Sequence, residues 1–258
     1  MRERPLTRVT NEELEQLLAG FELASLELLD ERSLMRRADS KFVLRDDDLV
    51  TLLPALRPHY KLLLANGNAL ARYETLYFDT DDLRCFHDHR RGSRPRYKVR
   101  MRHYKDRDLT FLEVKTKRSD YLTDKQRRPH QTGTNLSEDD LRFISEWCDV
   151  PTDSLREQVW TNFRRITLVG DDTAERITID TRLELVDGER REELPGVVIM
   201  EVKQAPFNVR TPAMRALRDA GKRRVSASKY CTANVLLRGN LRCNRLLPSL
   251  RLIEGVRI

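Results

Sequence analysis

Cysteine is scarce: the 258 residues hold four, Cys85, Cys148, Cys231 and Cys243, and no two form a C-x-x-C pair. So few thiols in so long a chain exclude a disulfide framework and leave reduced, partly buried cysteines as the reading. Long hydrophobic runs are missing too. No apolar stretch approaches the roughly 20 residues that cross a bilayer, and the charged opening from Met1 to Asn11 is unlike a signal peptide, so a cytoplasmic protein without a direct membrane span is expected. Low-complexity linkers and Gly/Ser hinges are also lacking, which argues for one domain over 1–258 with its core at about 30–240. Charge is what the chain has in excess. Lys and Arg number 48 against 41 Asp and Glu, a net +7, and charged residues make up 34% beside 39% hydrophobic ones. That exceeds the roughly 25% charge of ordinary soluble domains, yet the length still suffices to bury a core.

Helical signals sit at the two ends. Leu14, Leu17, Leu18 and Phe21 recur at helical spacing, and Thr10 with Glu13 forms a capping-box pattern, predicting a helix over Asn11 to Leu29. Asp46-Asp47-Asp48 can cap a second helix through Leu49 to Leu56, ended near Pro58. Thr211-Pro212 opens a third helix that Gly221 stops, and Ser226 to Arg238 reads as the last. Between them lie strand-like segments: 41–44, 74–80, 96–104, 108–117, 159–169, 176–185 and 197–204. Short turn-like stretches separate them in place of regular helices. The order predicts an α+β protein built on an antiparallel sheet or barrel with flanking helices, and excludes a doubly wound parallel sheet.

The segment 96–104 carries the most information, because a strand points alternate side chains to opposite faces. Arg96, Lys98, Arg100 and Arg102 fall on one face; Tyr97, Val99, Met101 and His103 fall on the other. In 111–117, Phe111, Glu113, Lys115 and Lys117 alternate with Leu112, Val114 and Thr116. With Lys105 to Asp108 as the turn, Arg102 pairs with Phe111, Arg100 with Glu113 and Lys98 with Lys115. All these charges then share one face. Two cations about 4 Å apart repel by up to roughly 4 kcal/mol at an effective dielectric near 20, so something must offset the cost. Solvent and salt suffice if the face is open; a bound polyanion is the sharper reading.

The theme repeats. Glu201-Val202-Lys203 restates Glu113-Val114-Lys115, Phe163 shares a face with Arg165, and Arg176, Thr178, Asp180 and Arg182 share another. Lys125 and Arg127 follow the hairpin on a strand or loop. If the sheet rolls up, these faces converge on an interior too charged to be dry, suited to phosphates and to a divalent metal held by glutamate. For Glu201 the rival role is a salt bridge to a neighbouring cation, and Glu113 can equally serve to orient Arg100. Nucleic-acid binding, the generic reading of a basic chain, is disfavoured because the cations alternate with apolar residues and share their face with Glu, with no aromatic stacking platform. His87-Asp88-His89 near Cys85 lacks the second cluster that a metal hydrolase would need.

Taken in order, Arg37-Ala38-Asp39-Ser40-Lys41-Phe42, Tyr77-Phe78-Asp79-Thr80, Val99-Arg100-Met101-Arg102-His103-Tyr104, Leu112-Glu113-Val114-Lys115, Phe163-Arg164-Arg165, Met200-Glu201-Val202-Lys203 and Ser226-Ala227-Ser228-Lys229-Tyr230 resemble the VTC (vacuolar transporter chaperone) domain family. This is the polyphosphate-polymerase branch of the triphosphate tunnel metalloenzymes, and the likeness spans roughly 37–237. The resemblance implies an eight-stranded antiparallel β-barrel tunnel that binds ATP, triphosphate or polyphosphate along its axis. It implies phosphate-gripping, catalytic roles for Arg100, Arg102, Lys115, Arg165 and Lys229, substrate contacts from Lys41 and Ser228, and Mn²⁺ or Mg²⁺ on Glu201; the strand faces add Lys98, Glu113, Lys125 and Lys203 as candidate substrate contacts.

The chain departs from that pattern where Phe163 replaces a Tyr, Lys117 a His and Ser226 a Lys of the eukaryotic polymerases. The E-x-E-x-K opening of the adenylate-cyclase and thiamine-triphosphatase branch is missing. So are an N-terminal phosphate-sensor domain and a membrane segment, so any transport coupled to synthesis would need a second, membrane-embedded protein. The expected reaction is transfer of the ATP γ-phosphate to a growing polyphosphate chain. The alternatives are a metal-dependent triphosphatase, in which water replaces the phosphate acceptor, and a catalytically silent polyphosphate-binding module.

Overall fold

Ten antiparallel strands form one sheet in this computed structural model, which describes residues 8–25, 27–28, 38–119, 123–131 and 133–257. They are β1 (Ala38–Arg45), β2 (Tyr60–Leu63), β3 (Ala71–Thr80), β4 (Arg96–Tyr104), β5 (Leu109–Lys117), β6 (Thr123–His130), β7 (Leu155–Gly170), β8 (Glu175–Asp187), β9 (Arg190–Leu194) and β10 (Val197–Gln204). Eight follow the path β1-β10-β8-β7-β3-β4-β5-β6, with β2 added to β7 and β9 to β8. The path has the expected eight strands, but the ring of hydrogen bonds is not closed: among the described residues β1 and β6 do not pair. The Val225 N–H donates to Lys41 O at 2.8 Å and occupies part of the β1 edge instead. Bulges at Tyr77/Phe78 and at Asn162/Arg164 bend the long central strands, which is how a sheet curls without full closure.

The strands β1, β4, β5, β7, β8 and β10 keep an apolar outer face. On β1, β7, β8 and β10, residues such as Phe42, Ile166, Ile177 and Met200 are buried against α1 (Asn11–Ala19), α2 (Asp48–Leu56) and the helix Pro212–Asp219. On β4 and β5, Val99, Met101, Leu112 and Val114 join a second cluster. It also takes in residues of α3 (Arg84–Arg91), α4 (Glu138–Trp147), α6 (Lys229–Arg238) and α7 (Leu247–Val256), α5 being Pro212–Asp219. Burying apolar side chains at about 25 cal/mol per Å² holds the layers together and leaves the other face of the sheet for charge.

Several boundaries differ from the sequence reading. The capping box of Thr10 and Glu13 is present, but α1 stops at Gly20 and the chain then makes a parallel bridge from Leu23 to Leu62. The helix expected over Ser226 to Arg238 starts at Lys229, with Ser228 as its cap, and it is not the last, since α7 follows. Asp46 to Asp48 do precede a helix, yet the Asp47 side chain does not cap it and accepts from Arg45 Nε at 3.1 Å. Asp46 and Asp48 accept from the N–H groups of Val9 and Arg45 instead. Arg37 lies outside the described residues. Strand β6 reads TDKQRRPH and carries no hydrophobic alternation; its pairing with β5 makes it a strand.

The Tyr77-Phe78-Asp79-Thr80 motif owes its aspartate to architecture. Buried Asp79 accepts from the N–H groups of Thr80 (2.8 Å), Cys85 (2.8 Å) and Phe86 (2.9 Å), and from the Tyr230 hydroxyl. It therefore caps α3 and ties β3 to α6. Asp79→Ala should cost about 3 kcal/mol in urea denaturation, because buried donors are left unmade. A loss under half of that would mean the cap is dispensable.

Candidate functional site

The inner faces of the strands meet as their parity requires. The β4–β5 register sets Arg102 against Phe111, Arg100 against Glu113 and Lys98 against Lys115, as the hairpin arithmetic predicts. On the other wall β1, β10 and β8 place Lys41, Glu201 and Thr178 in one row. Arg165 of β7 pairs with Asp180 of β8. Every proposed site residue lies on this inner surface or at its rim.

Three carboxylates organise the cations. Glu113, fully buried, receives Arg100 at 2.6 Å and Lys125 at 2.5 Å. Asp180 receives Arg165 at both oxygens, 2.5 and 2.7 Å, and also Lys229. Glu201 faces Lys41 at 3.5 Å and accepts from Lys203. Lys98 is held differently: its ammonium donates to Ser228 Oγ at 2.9 Å, and that oxygen also caps α6 by accepting the Cys231 N–H. Arg102 donates to Thr75 Oγ1 at 3.1 Å. Together Lys41, Lys98, Arg100, Arg102, Lys115, Lys125, Arg165, Lys203 and Lys229 give nine basic side chains against four carboxylates, Glu113, Asp180, Glu201 and Asp39, which lies opposite Lys203 across the β1–β10 ladder, an excess of five.

An aromatic wall completes the surface. The Phe163 ring lies under Arg102, Arg165 and Lys229 at 5.8, 5.1 and 4.7 Å, and stacks on Tyr73 at 5.3 Å. Phenylalanine supplies no hydroxyl here, but its π-face still positions three cations. Tyr77 receives Arg100 at 3.3 Å on its hydroxyl. Sequence reasoning put Asp180 on the right face and Tyr77 in an ordered motif without giving either a role, and passed over Tyr73. The same period-2 parity reaches all three, since Tyr73 and Tyr77 share the inner face of β3 with Thr75, opposite Arg102 and Arg100. Arg182 is a correction: its backbone is left-handed, φ 52°, and its side chain donates to Asn11 Oδ1 and Val9 O, away from the other cations.

The excess charge shows in the titration of the site. Burial, followed by Lys41 and Lys98, pushes Lys115 down to about 7 against the pull of Glu201 and Asp39. Lys125 is pushed down to about 8, by burial first and despite Glu113. Burial would raise the Tyr77 phenol, but Arg100, Arg102 and Lys98 outweigh it and hold it at about 8. Burial likewise works against the charge on Glu201, and Lys41, Lys203 and Lys115 overcome it, so this carboxylate stays ionised.

Lys115, Lys125 and Tyr77 all lie below their usual values near 10, so between about pH 7 and 10 the unfolded chain binds more protons than the folded one. Stability of the ligand-free protein should therefore rise from pH 7 to pH 9. A polyanion reverses the bias on the lysines, so tripolyphosphate binding at pH 8 should take up protons. Calorimetry in two buffers of different ionisation enthalpy measures that uptake, and identical heats would refute it.

A model of the VTC domain family matches residues 36–238, well over half of the chain. The chain belongs to the VTC domain family. A search of curated proteins finds no match. Among solved structures, a Hippeastrum protein, named as an adenylyl cyclase with a dominant triphosphatase activity, is 15% identical with a TM-score of 0.47, covering 81% of this chain and 98% of its own. A Bacillus halodurans protein named as an adenylate cyclase is 12% identical with a TM-score of 0.46, covering 76% and 96%.

For a VTC domain the metal question rests on Glu201. No group of three or more His, Cys, Asp or Glu able to hold a metal occurs among the described residues. Glu201 is ionised and paired with Lys41 and Lys203, and a single carboxylate of this kind would fit Mg²⁺ where anionic ligand oxygens complete the coordination. No helix of the described residues is long and apolar enough to cross a membrane.

Proposed function

We propose that this VTC domain is a polyphosphate polymerase that draws the triphosphate of ATP into its basic interior and passes the γ-phosphoryl group to a growing chain. The observation that carries the reading is the excess of five inward-facing basic side chains over carboxylates, on strands whose charged residues repeat every second position, about 7 Å apart. A linear chain of phosphates would supply negative charge along the whole length of those rows.

Phosphoryl transfer asks mainly for position and for charge to stabilise the oxygens of the transferred group. Arg100, Arg102 and Arg165 offer planar forks suited to phosphate, whereas Lys41, Lys98, Lys115, Lys125, Lys203 and Lys229 act as point charges. Glu113 and Asp180 hold two of the arginines in orientation before substrate arrives, so less ordering is left to do on binding. Ser228 positions Lys98. A Mn²⁺ or Mg²⁺ ion held by Glu201 and phosphate oxygens would supply further charge neutralisation.

Incubation of the purified chain with ATP and Mn²⁺, followed by a urea gel, tests the proposal. Polymer growth is the expected result. Phosphate release without polymer would replace it by a triphosphatase, and tight binding without turnover under any divalent metal by a silent binding module. Glu201→Gln should lower metal-dependent ATP consumption about tenfold or more while tripolyphosphate binding without metal persists.

A further inference from the structure

Tyr77 is buried on the inner face of β3, directly across the ladder from Arg100. Its hydroxyl accepts from Arg100 Nη1 at 3.3 Å, and the same guanidinium lies over its ring, 5.9 Å from the centroid. The phenol is itself held in place. Its ring packs on Tyr230, 5.0 Å between centroids, and the Tyr230 hydroxyl is tied to Asp79, the cap of α3. Val159 of β7 pairs with it across the ladder and brings no charge.

Four cations act on this phenol: Lys98, Arg100 and Arg102 of β4 and Lys229 of α6. The carboxylates around them are bound to other groups. Glu113 of β5 takes Arg100 and Lys125, Asp180 of β8 takes Arg165 and Lys229, and Asp79 takes Tyr230 and three backbone N–H groups. Burial raises the phenols of Tyr60, Tyr73, Tyr97 and Tyr230. It works on Tyr77 in the same direction, but there Arg100, Arg102 and Lys98 outweigh it and hold the group at about 8. A phenolate beside Arg100 competes for the guanidinium with any phosphate oxygen, and two anions there repel.

We propose that Tyr77 positions Arg100 and is its proton-linked counter-ion: the hydroxyl holds the guanidinium before substrate arrives, and phosphate oxygens on Arg100 drive the side chain back to the neutral phenol. This rests on the reading of the interior as a triphosphate site. Where the phenolate is present, ligand binding takes up a proton at Tyr77.

Tyrosinate absorbance followed against pH reads the group directly. In the unmutated chain a tyrosinate band should grow with a midpoint at about pH 8, and Tyr77→Phe should lack it. Saturating tripolyphosphate should move that midpoint up by about one pH unit or more. A tyrosine that only fills space leaves no such signature. Between about pH 8 and about pH 9.5 the unmutated chain should lose about fivefold more tripolyphosphate affinity than Tyr77→Phe, because Lys115 and Lys125 titrate in both proteins and only the phenolate differs. At about pH 7, with the phenol neutral, the two affinities should agree within about threefold. A chain without tyrosinate up to about pH 9.5 overturns the proposal, and so does a band that bound tripolyphosphate leaves unmoved. Both results come from the unmutated chain, and both leave the triphosphate reading intact. Failure of that chain to bind tripolyphosphate at any pH overturns the triphosphate reading, and the proposal with it.

Discussion

Arg100→Ala is expected to lower kcat/KM for the triphosphate by about 10²- to 10³-fold, the scale seen when one preorganised donor to developing charge is removed. Arg100 donates through Nε at 2.8 Å and contacts through Nη2 at 2.6 Å the same oxygen of Glu113, and it reaches the Tyr77 hydroxyl. Its guanidinium is thus fixed before substrate binds. The variant should still fold, because Glu113 keeps Lys125 at 2.5 Å. Arg100→Lys should recover only part of the loss, since an ammonium brings charge without the planar fork. Steady-state kinetics with a parallel tripolyphosphate titration decide the matter. Wild-type values for both in Arg100→Ala would place the chemistry elsewhere.

Asp180→Asn should act in the opposite sense on stability and ligand. Burial raises the carboxyl's proton affinity, but Arg165 and Lys229 outweigh it and hold Asp180 well below the usual carboxylate range, so it is ionised at any working pH. Neutralising it strands two buried cations, and removal of one partner of a buried ion pair costs about 3 kcal/mol or more. The ligand-free variant should unfold at clearly lower urea. Tripolyphosphate should then recover more stability in the variant than in the wild type, because phosphate oxygens take over the missing negative charge. Equal gains from the ligand would show that Arg165 and Lys229 do not face the phosphates.

Two departures from the eukaryotic polymerase pattern, Lys117 and Ser226, lie with His89 around one space at the end of β5. The third, Phe163, sits under three cations of the centre. The changes therefore fall on the rim and on one aromatic wall, and none removes a carboxylate that pairs the central cations.

Much of the site was legible because strand alternation is a local property. The β4 and β5 registers follow from the pleat and the length of the turn, and so did the shared face of Arg100, Arg102, Glu113 and Lys115. Strand β6 was not legible, since TDKQRRPH has no apolar stripe and becomes extended only by pairing with β5. Arg182 was misplaced because the irregularity in β8 breaks the period on which the prediction relied. Helix α3 hid behind a polar sequence, Arg84-Cys85-Phe86-His87-Asp88-His89, whose cap, Asp79, lies on another element.

By itself, then, the sequence determined which side of each strand carries charge, and through the ordered motifs it determined the family. Only the tertiary structure decided that β1, β10 and β8 face β4 and β5, that Asp180 neutralises both Arg165 and Lys229, and that His89 stands among cations. The reason is physical: the pleat repeats within a few residues, whereas curvature accumulates over bulges and strand pairs, and desolvation depends on every group that comes near.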